Sequence, residues 1–273
     1  MLLRPVKRPP AIVAGGLLDQ GAKLLLAGPE KAGKSLLAGQ LALSLAAGVD
    51  WLGFHIPEPR RVLYVQLEVA EWRLEERFQR QAAVIGVNQG GGMYDRLYAY
   101  TDFEFSTATA NDRDHLHELI DTTKPDILLL DPLYLIHSGD SNDESQMSSV
   151  VRALNGLLKR VQGLVVVAHH AKDTQDLRMR RPAQRISGSS VLSRWPDSIL
   201  TLESRKPTEK ATLTMTLRNA EAPPRITLKL DPATWLFERV LEIHEPSENS
   251  DFWALDDRRA KQLLPTGGLM DDA

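Results

Sequence analysis

Eight residues from Gly28 to Ser35, Gly-Pro-Glu-Lys-Ala-Gly-Lys-Ser, have the types and spacing of a phosphate-binding loop. They fit the pattern G-x-x-x-x-G-K-[ST] and lie between an apolar run and an apolar periodic segment, as that motif requires. The two glycines permit turns in which successive backbone N–H groups converge on a phosphate, and the next helix N-terminus adds partial positive charge. The alternative is a chance glycine turn between a strand and a helix. We predict that a nucleoside triphosphate binds to Gly28, Pro29, Glu30, Lys31, Ala32, Gly33, Lys34, Ser35 and Leu36.

Two residues of this motif and one downstream acid are predicted to contact the phosphates and a metal ion. Lys34 would reach the β- and γ-phosphates, and the Ser35 hydroxyl would ligate Mg²⁺. The other metal-directed group is Asp131, which ends the buried apolar run of DILLLDP. An aspartate before a proline also starts turns, and this is the structural alternative for Asp131.

Hydrolysis also needs a group that orients or deprotonates water, and Glu68 is the predicted general base. It follows the apolar run VLYVQL, and parallel strands bring their carboxyl ends to one edge of a sheet. A partly buried carboxylate near Mg²⁺ can act as a base there. Glu71 and Glu75 are alternatives, although their helical spacing favours a solvated face.

Two histidines, His169 and His170, end the apolar run LVVVAHH. A polar side chain at this place could contact the γ-phosphate and report its loss to the next loop. The alternative is one hydrogen-bonded histidine and one exposed histidine. A zinc site is not indicated, because the chain has no cysteine and lacks H-x-x-x-H spacing.

The elements that must position these residues alternate between strands and helices. Short runs that are apolar on both faces predict buried parallel strands at 23–28, 61–68, 96–102, 126–132 and 164–170. Helical patterns lie between them at 35–47, 71–85, 112–123 and 146–161. This order predicts βαβ units in an α/β fold with a doubly wound, mostly parallel sheet.

After residue 185 the pattern changes to closely spaced runs that alternate apolar and polar residues, at 197–204, 211–218, 225–231 and 234–240. Such runs are typical of antiparallel strands with one wet face, and we expect them to extend the same sheet at its C-terminal edge. The predicted organisation is an N-terminal extension (1–22), one ATPase-sized domain (23–240) and an acidic tail (241–273). A short helix is predicted at 256–264.

Composition excludes several classes of protein. The 273 residues carry a net charge of -3, and the last 33 hold eight acidic against three basic residues, so the rest is slightly basic. Near-neutral charge neither supports nor excludes nucleic-acid binding. With no cysteine, no signal-peptide core and no apolar run that approaches a membrane span, a soluble cytoplasmic protein is expected.

The order of these parts resembles the RecA-like ATPase core. More narrowly, AGPEKAGKSLLA, LLLDPLYLIHSGDSNDESQM and VVVAHHAKD followed by RISGSSVL look like the RepA-type hexameric helicases of plasmids and phages, which are related to DnaB-type replicative helicases. The likeness covers about residues 12–240. The resemblance implies ATP and Mg²⁺ as ligands, Gly28, Gly33, Lys34 and Ser35 as the nucleotide loop, Glu68 as catalytic glutamate, Asp131 as the Walker B acid and His170 as the sensor histidine.

The same resemblance implies two further sites. In these rings a basic residue on a late hairpin reaches the neighbouring subunit's γ-phosphate, and TLRNAEAPP makes Arg218 the candidate; the alternative is an exposed pair with Glu221. The segment 172–185 matches the central loop that grips single-stranded DNA, with five basic against two acidic residues. A solvated loop is the alternative. The DNA-binding residues expected are Lys172, Arg178, Arg180, Arg181 and Arg185.

The leading hypothesis is a hexameric ring ATPase that moves on single-stranded DNA as a DNA replication helicase, with a primase or replication initiator as a further partner and no membrane. A recombinase or annealing mediator, and a nucleotide-dependent assembly switch, remain alternatives. A small-molecule kinase is disfavoured, because no arginine-rich lid is apparent. DnaB-type enzymes carry an N-terminal collar domain, whereas only 22 residues precede Lys23.

Overall fold

The computed structural model describes residues 8–85, 92–102, 109–133, 143–169 and 190–240. The chain divides into two units, 1–240 and 241–273, and the second lies outside the described residues, as does the helix predicted at 256–264. The described strands are β1 (Ala11–Val13), β2 (Leu18–Asp19), β3 (Ala22–Gly28), β4 (Val62–Gln66), β5 (Leu97–Thr101), β6 (Ile127–Asp131), β7 (Gly163–His169), β8 (Ser198–Lys206), β9 (Lys210–Leu217), β10 (Ile226–Leu230) and β11 (Phe237–Arg239).

The described helices lie between the strands as the periodicity predicts. They are α1 (Lys34–Ala47), α2 (Glu71–Ile85), α3 (Ala110–Thr123), α4 (Glu144–Leu158) and α5 (Ser190–Arg194), with a 3₁₀ turn at Tyr94–Arg96. Helix α4 begins two residues earlier than the apolar pattern indicates, because the Asp143 side chain accepts hydrogen bonds from two backbone N–H groups of its first turn.

Nine strands form one sheet in the order β11-β10-β9-β8-β3-β7-β6-β4-β5. The six strands from β8 to β5 in this order are parallel, and β9, β10 and β11 add antiparallel pairs at the other edge. The α/β fold with antiparallel strands at its C-terminal edge is thus confirmed. Strand β8 joins the two parts, since it pairs in parallel with β3 and antiparallel with β9.

The two faces of the sheet bury separate apolar clusters because strand side chains alternate in direction. Residues 24 and 26 of β3 pack with α1, α2 and the late strands, whereas residues 25 and 27 pack with α3, α4 and α5. Strands β1 and β2 form a separate antiparallel pair, and their apolar residues 12, 13, 17 and 18 are fully buried in the α1-side cluster. Helices therefore cover both faces of the central strands and leave their carboxyl ends at one edge.

Among the described residues, no helix is both long and apolar enough to cross a membrane.

Candidate nucleotide-binding site

The loop at residues 28–35, called the nucleotide loop below, connects β3 to α1 and has a backbone that suits an anion. Lys31 and Gly33 have positive φ angles of 61° and 91°. Gly33 caps α1, yet no side chain of the described residues caps the first turn of that helix. Uncapped N–H groups at a helix start are ready donors for a phosphate.

Two glycines of the loop are required by close contacts as well as by conformation. A Cβ atom on Gly28 would lie 2.2 Å from the Leu202 backbone oxygen, so β8 approaches too closely for any side chain there. A Cβ atom on Gly33 would lie 2.7 Å from the Phe237 ring. The loop is therefore packed between β8 on one side and β11 on the other.

Lys34 is folded back onto the loop that carries it. Its Nζ donates a hydrogen bond to the Pro29 carbonyl at 2.8 Å, and the residue is only 5% exposed. Burial lowers the Lys34 pKa to about 8, and the charges of Asp131, Glu68 and Glu30 oppose that effect. A buried cation surrounded by three acidic residues and an uncapped helix start can bind a polyanionic phosphate group.

Asp131 lies at the carboxyl end of β6, directly opposite Gln66 in the pairing of β6 with β4. Its Oδ2 accepts hydrogen bonds from the Tyr64 hydroxyl at 2.6 Å and from the Gln66 amide at 3.0 Å. Burial raises the pKa of Asp131, and the side chains of Tyr64 and Ser35 oppose that rise. Tyr64 and Gln66 fix the carboxylate on the α1 side of the sheet, where the Tyr64 hydroxyl also lies 3.4 Å from the Ser35 carbonyl.

The other oxygen of Asp131 is what makes this position fit a metal ion. Among the described residues, Oδ1 is buried and has no hydrogen-bond partner. An orphaned buried carboxylate oxygen is costly unless a cation or its water supplies the missing interaction. Ser35, at the start of α1, and Asp131 therefore form an oxygen donor set that suits Mg²⁺.

Glu68 lies two residues beyond the end of β4 and is exposed at the same edge. Its position is set through the backbone, since the Gln66 side-chain oxygen accepts hydrogen bonds from the N–H groups of Glu68 at 2.5 Å and Val69 at 3.0 Å. Gln66 thus holds both Asp131 and the turn that carries Glu68. The alternatives, Glu71 and Glu75, are exposed on α2.

His169 ends β7 and lies opposite Gly28 in the pairing of β7 with β3. Its Nδ1 is 3.4 Å from the Lys34 Nζ. Burial lowers the pKa of His169, and the Lys34 charge lowers it further. A protonated lysine can only donate, so this contact needs a neutral imidazole with Nδ1 as acceptor and the proton on Nε2.

His170, the predicted sensor, lies outside the described residues, and so do the predicted DNA-binding residues Lys172, Arg178, Arg180, Arg181 and Arg185. Their assignments stay predictions.

Arg218 lies at the opposite end of the sheet from the nucleotide loop. Its backbone N–H donates to the Asp197 carbonyl, and Asp197 N–H donates to the Lys23 carbonyl at the start of β3. The Arg218 guanidinium donates to the Arg194 carbonyl and lies 4.0 Å from the Asp197 carboxylate, rather than pairing with Glu221 as in the structural alternative. Five residues of β3 separate this level from Gly28, which is roughly 17 Å at the usual strand rise. Arg218 therefore does not belong to the nucleotide site of its own chain.

The fold and this site together define a RecA-like P-loop ATPase. The chain belongs to the AAA domain family, which matches residues 3–176. No curated protein matches the chain in sequence.

Three solved structures are similar to this chain in fold at low sequence identity. A KaiC-like protein from the hyperthermophilic archaeon Pyrococcus horikoshii OT3 is 14% identical with a TM-score of 0.58, over 87% of this chain and 100% of that chain. The ATPase domain of a helicase is 15% identical with a TM-score of 0.58, over 81% and 86% of the two chains. The RadB recombinase is 17% identical with a TM-score of 0.57, over 81% and 92%.

The polar partners of the site were not predicted from the sequence, although a signal for them exists. Tyr64 and Gln66 interrupt a buried strand at positions two apart, and Asp131 has the same parity in the neighbouring strand. Buried polar residues need partners, so their shared face and register point to one hydrogen-bonded group.

Replacing Asp131 by asparagine is expected to stabilise the nucleotide-free protein while it weakens catalysis. The amide side chain would keep an oxygen for Tyr64 and Gln66 and remove a buried charge, so the free energy of unfolding should rise by about 1 kcal/mol. Because burial raises the folded-state pKa, the ionised carboxylate costs stability only at pH values where it would ionise in the unfolded chain. The gain should therefore be larger at neutral than at acidic pH, as urea unfolding can measure.

The matched control is Asp126→Asn, just before the start of β6. The Asp126 carboxylate is partnered on both oxygens, by the Arg61 N–H at 2.9 Å and the Gln162 amide at 2.7 Å, so the change should lower stability. ATP hydrolysis should fall about 10–100-fold in the Asp131 variant and stay near wild type in the control. A loss of stability in D131N would contradict the unpartnered-oxygen argument.

Proposed function

We propose that the protein hydrolyses ATP with Mg²⁺ and uses that reaction to move along single-stranded DNA as a replicative helicase of the RepA type. The observation that carries the proposal is the convergence of Lys34, Asp131 and His169 at the nucleotide loop, with Glu68 at the same edge. Three separate parallel strands supply Asp131, His169 and Glu68, so the convergence depends on the fold and not on local sequence.

The nucleotide loop would hold the phosphates through its backbone N–H groups and through Lys34. On binding, the Lys34 ammonium would exchange the Pro29 carbonyl for phosphate oxygens, which costs little because the cation is already desolvated. Ser35 and Asp131 would hold Mg²⁺, which neutralises charge on the phosphates when bound. Glu68 would accept the proton of the attacking water.

A histidine beside the phosphates would report their loss. We keep His170 as the proposed sensor, and His169 adds a second candidate because its ring contacts Lys34. When the Lys34 ammonium moves between the Pro29 carbonyl and a phosphate, the His169 ring loses or regains its partner at the start of the segment that follows β7. This gives the phosphate state a physical connection to residues 172–185.

The position of Arg218 supports a composite site between subunits. Roughly 17 Å from its own nucleotide loop, measured along β3, Arg218 could stabilise a γ-phosphate only in a neighbouring subunit. An arrangement in which one end of each subunit contacts the opposite end of the next is heterologous, and such contacts close into rings or continue as filaments. The proposal takes the ring.

Single-stranded DNA is the proposed track, on the strength of the basic segment 172–185 and the resemblance of the sequence to RepA-type helicases. ATP hydrolysis by the purified protein should rise severalfold with oligo-dT, and the rise should shrink as salt increases, because phosphate contacts release counterions. Forked duplex DNA separates the alternatives, since a mediator binds it without unwinding. Equal ATPase rates with and without oligo-dT, together with no DNA retention, would refute the DNA proposal.

Removing the charge of the basic segment should remove this stimulation. The variant carries alanine at all five predicted DNA-binding residues, Lys172, Arg178, Arg180, Arg181 and Arg185. The salt dependence of its DNA binding should become shallower, because fewer phosphates are neutralised and fewer counterions are released. Alanine at Arg113 and Arg152, on α3 and α4, is the control and should leave the stimulation in place; equal losses of stimulation in both variants would indicate nonspecific electrostatics.

A further inference from the structure

The last described strand of the sheet, β11, reaches back to the nucleotide loop. Phe237 begins this strand and is 1% exposed. Its ring lies against Gly33, since a Cβ atom there would be 2.7 Å from Cζ and 3.1 Å from Cε2 of the ring. Gly33 directly precedes Lys34 and has a φ of 91°. One wall of the nucleotide loop is therefore an aromatic ring from a strand four positions away in the sheet.

A glutamine side chain fixes this ring to the helix that begins at the loop. Gln40, on α1, donates to the Phe237 carbonyl at 3.0 Å and accepts from the Phe237 N–H at 2.8 Å. Among the described strands β11 is the edge of the sheet, and the Gln40 amide pairs with these backbone groups as a further strand would. Gln40 is itself 8% exposed.

A second buried glutamine ties the same segment to both helices. Gln81, on α2, donates to the Leu36 carbonyl at 3.0 Å, in the first turn of α1, and to the Trp235 carbonyl at 2.8 Å. The Arg80 guanidinium lies over the Trp235 ring at 4.3 Å from its centre. Residues 235–237 are thus held by three side chains of α1 and α2, close to the start of α1.

We propose that Phe237 is a positioning residue for ATP binding, which rests on the proposed function: its ring, locked by Gln40, holds the nucleotide loop in the conformation that presents its N–H groups to phosphate. The loop has no side-chain cap at Gly33 among the described residues and two residues at positive φ, so its own sequence does not enforce this conformation. The ring blocks the space into which Gly33 would otherwise relax.

The expected consequence is a loss of nucleotide affinity larger than the loss of stability explains. Apparent affinity falls by the fraction of molecules with a competent loop, so a loop that is competent about a tenth of the time raises Kd about tenfold. Phe237→Ala should therefore raise Kd and KM for ATP about tenfold. The kcat should change much less, because Lys34, Asp131 and Glu68 are still delivered by α1, β6 and the turn after β4.

The test compares Phe237→Ala with Leu228→Ala in the full chain. Leu228 lies on β10 and is fully buried in the same apolar cluster, so its removal leaves a similar cavity. Binding of a fluorescent ATP analogue is titrated for both, corrected for the folded fraction from thermal unfolding, and Phe237→Leu is measured as a milder variant that keeps the core filled. The L228A value should stay within about twofold of wild type, and F237L should fall between wild type and F237A.

Three outcomes are distinguishable. A rise in Kd for F237A and F237L that L228A does not share supports the positioning role. Equal values for F237A, L228A and wild type, or equal rises in both alanine variants, overturn it and leave Phe237 as a core residue. If the wild-type protein itself does not bind the ATP analogue, the proposed function fails rather than the role of Phe237 alone.

Discussion

Replacing Glu68 by glutamine is expected to lower kcat for ATP hydrolysis by about 10²–10⁴-fold, the usual contribution of a positioned general base. The change keeps the shape of the side chain and removes its ability to accept a proton. The backbone at residue 68 should not move, because Gln66 holds the N–H groups of Glu68 and Val69. ATP affinity should therefore stay within a few fold of wild type.

The measurement needs one precaution that follows from the electrostatics of the site. The Glu68 charge raises the Lys34 pKa, which burial lowers to about 8. Removing that charge lowers the Lys34 pKa further, so the ammonium deprotonates at a lower pH in the variant. Rates and affinities should be compared near pH 7, where Lys34 is protonated in both proteins.

Glu71→Gln is the matched control, because Glu71 is an exposed carboxylate three residues further on, in the first turn of α2. It should retain activity within a few fold. If Glu71→Gln abolishes hydrolysis and Glu68→Gln does not, the base has been assigned to the wrong carboxylate. Loss of unwinding together with loss of hydrolysis indicates a motor, whereas an assembly switch would keep its nucleotide-dependent assembly in Glu68→Gln.

Local patterns were enough to predict the central strands, helices and nucleotide loop. The apolar runs that became β3, β4, β6 and β7 are buried on both faces, and that burial is visible in composition alone. The loop is encoded in consecutive residues, so its spacing carries the prediction. For the same reason Ser35 and Lys34 could be named without any knowledge of tertiary contacts.

Contacts between distant segments could not be predicted in this way. Gln40 and Phe237 are 197 residues apart, and nothing in either local pattern indicates that they pair. The face of a strand end is also ambiguous from sequence: Val165, Val167 and His169 share the α1 face, but only the packing of β7 beside β3 brings His169 to Lys34. Likewise, β8 has the alternation of an antiparallel strand, and its parallel pairing with β3 is set by tertiary structure.

Replacing Arg218 by alanine is expected to cost about 10³–10⁵-fold in kcat, the contribution of an arginine finger, while ATP affinity changes little. Stability should change by less than about 1 kcal/mol, because Arg218 is half exposed. Asp197 would also keep its 2.8 Å ion pair with Lys23. Arg225→Ala removes another exposed arginine of the late strands and should leave hydrolysis near wild type.

Mixing two inactive variants tests whether Arg218 acts on a neighbour's nucleotide. Arg218→Ala keeps an intact nucleotide loop, and Lys34→Ala keeps an intact Arg218. If each site combines the loop of one subunit with the arginine of the next, random mixing in equal amounts rebuilds about a quarter of the sites, since each site then needs the correct variant on each side. The ATPase rate per subunit of the mixture should therefore recover to about that fraction of wild type, whereas either variant alone stays inactive. No recovery in subunits shown by sedimentation to co-assemble, or full activity of Arg218→Ala alone, would mean that the site is complete within one chain, and the charge cluster of Lys23, Asp197 and Arg218 would then serve only to join β3, β8 and β9.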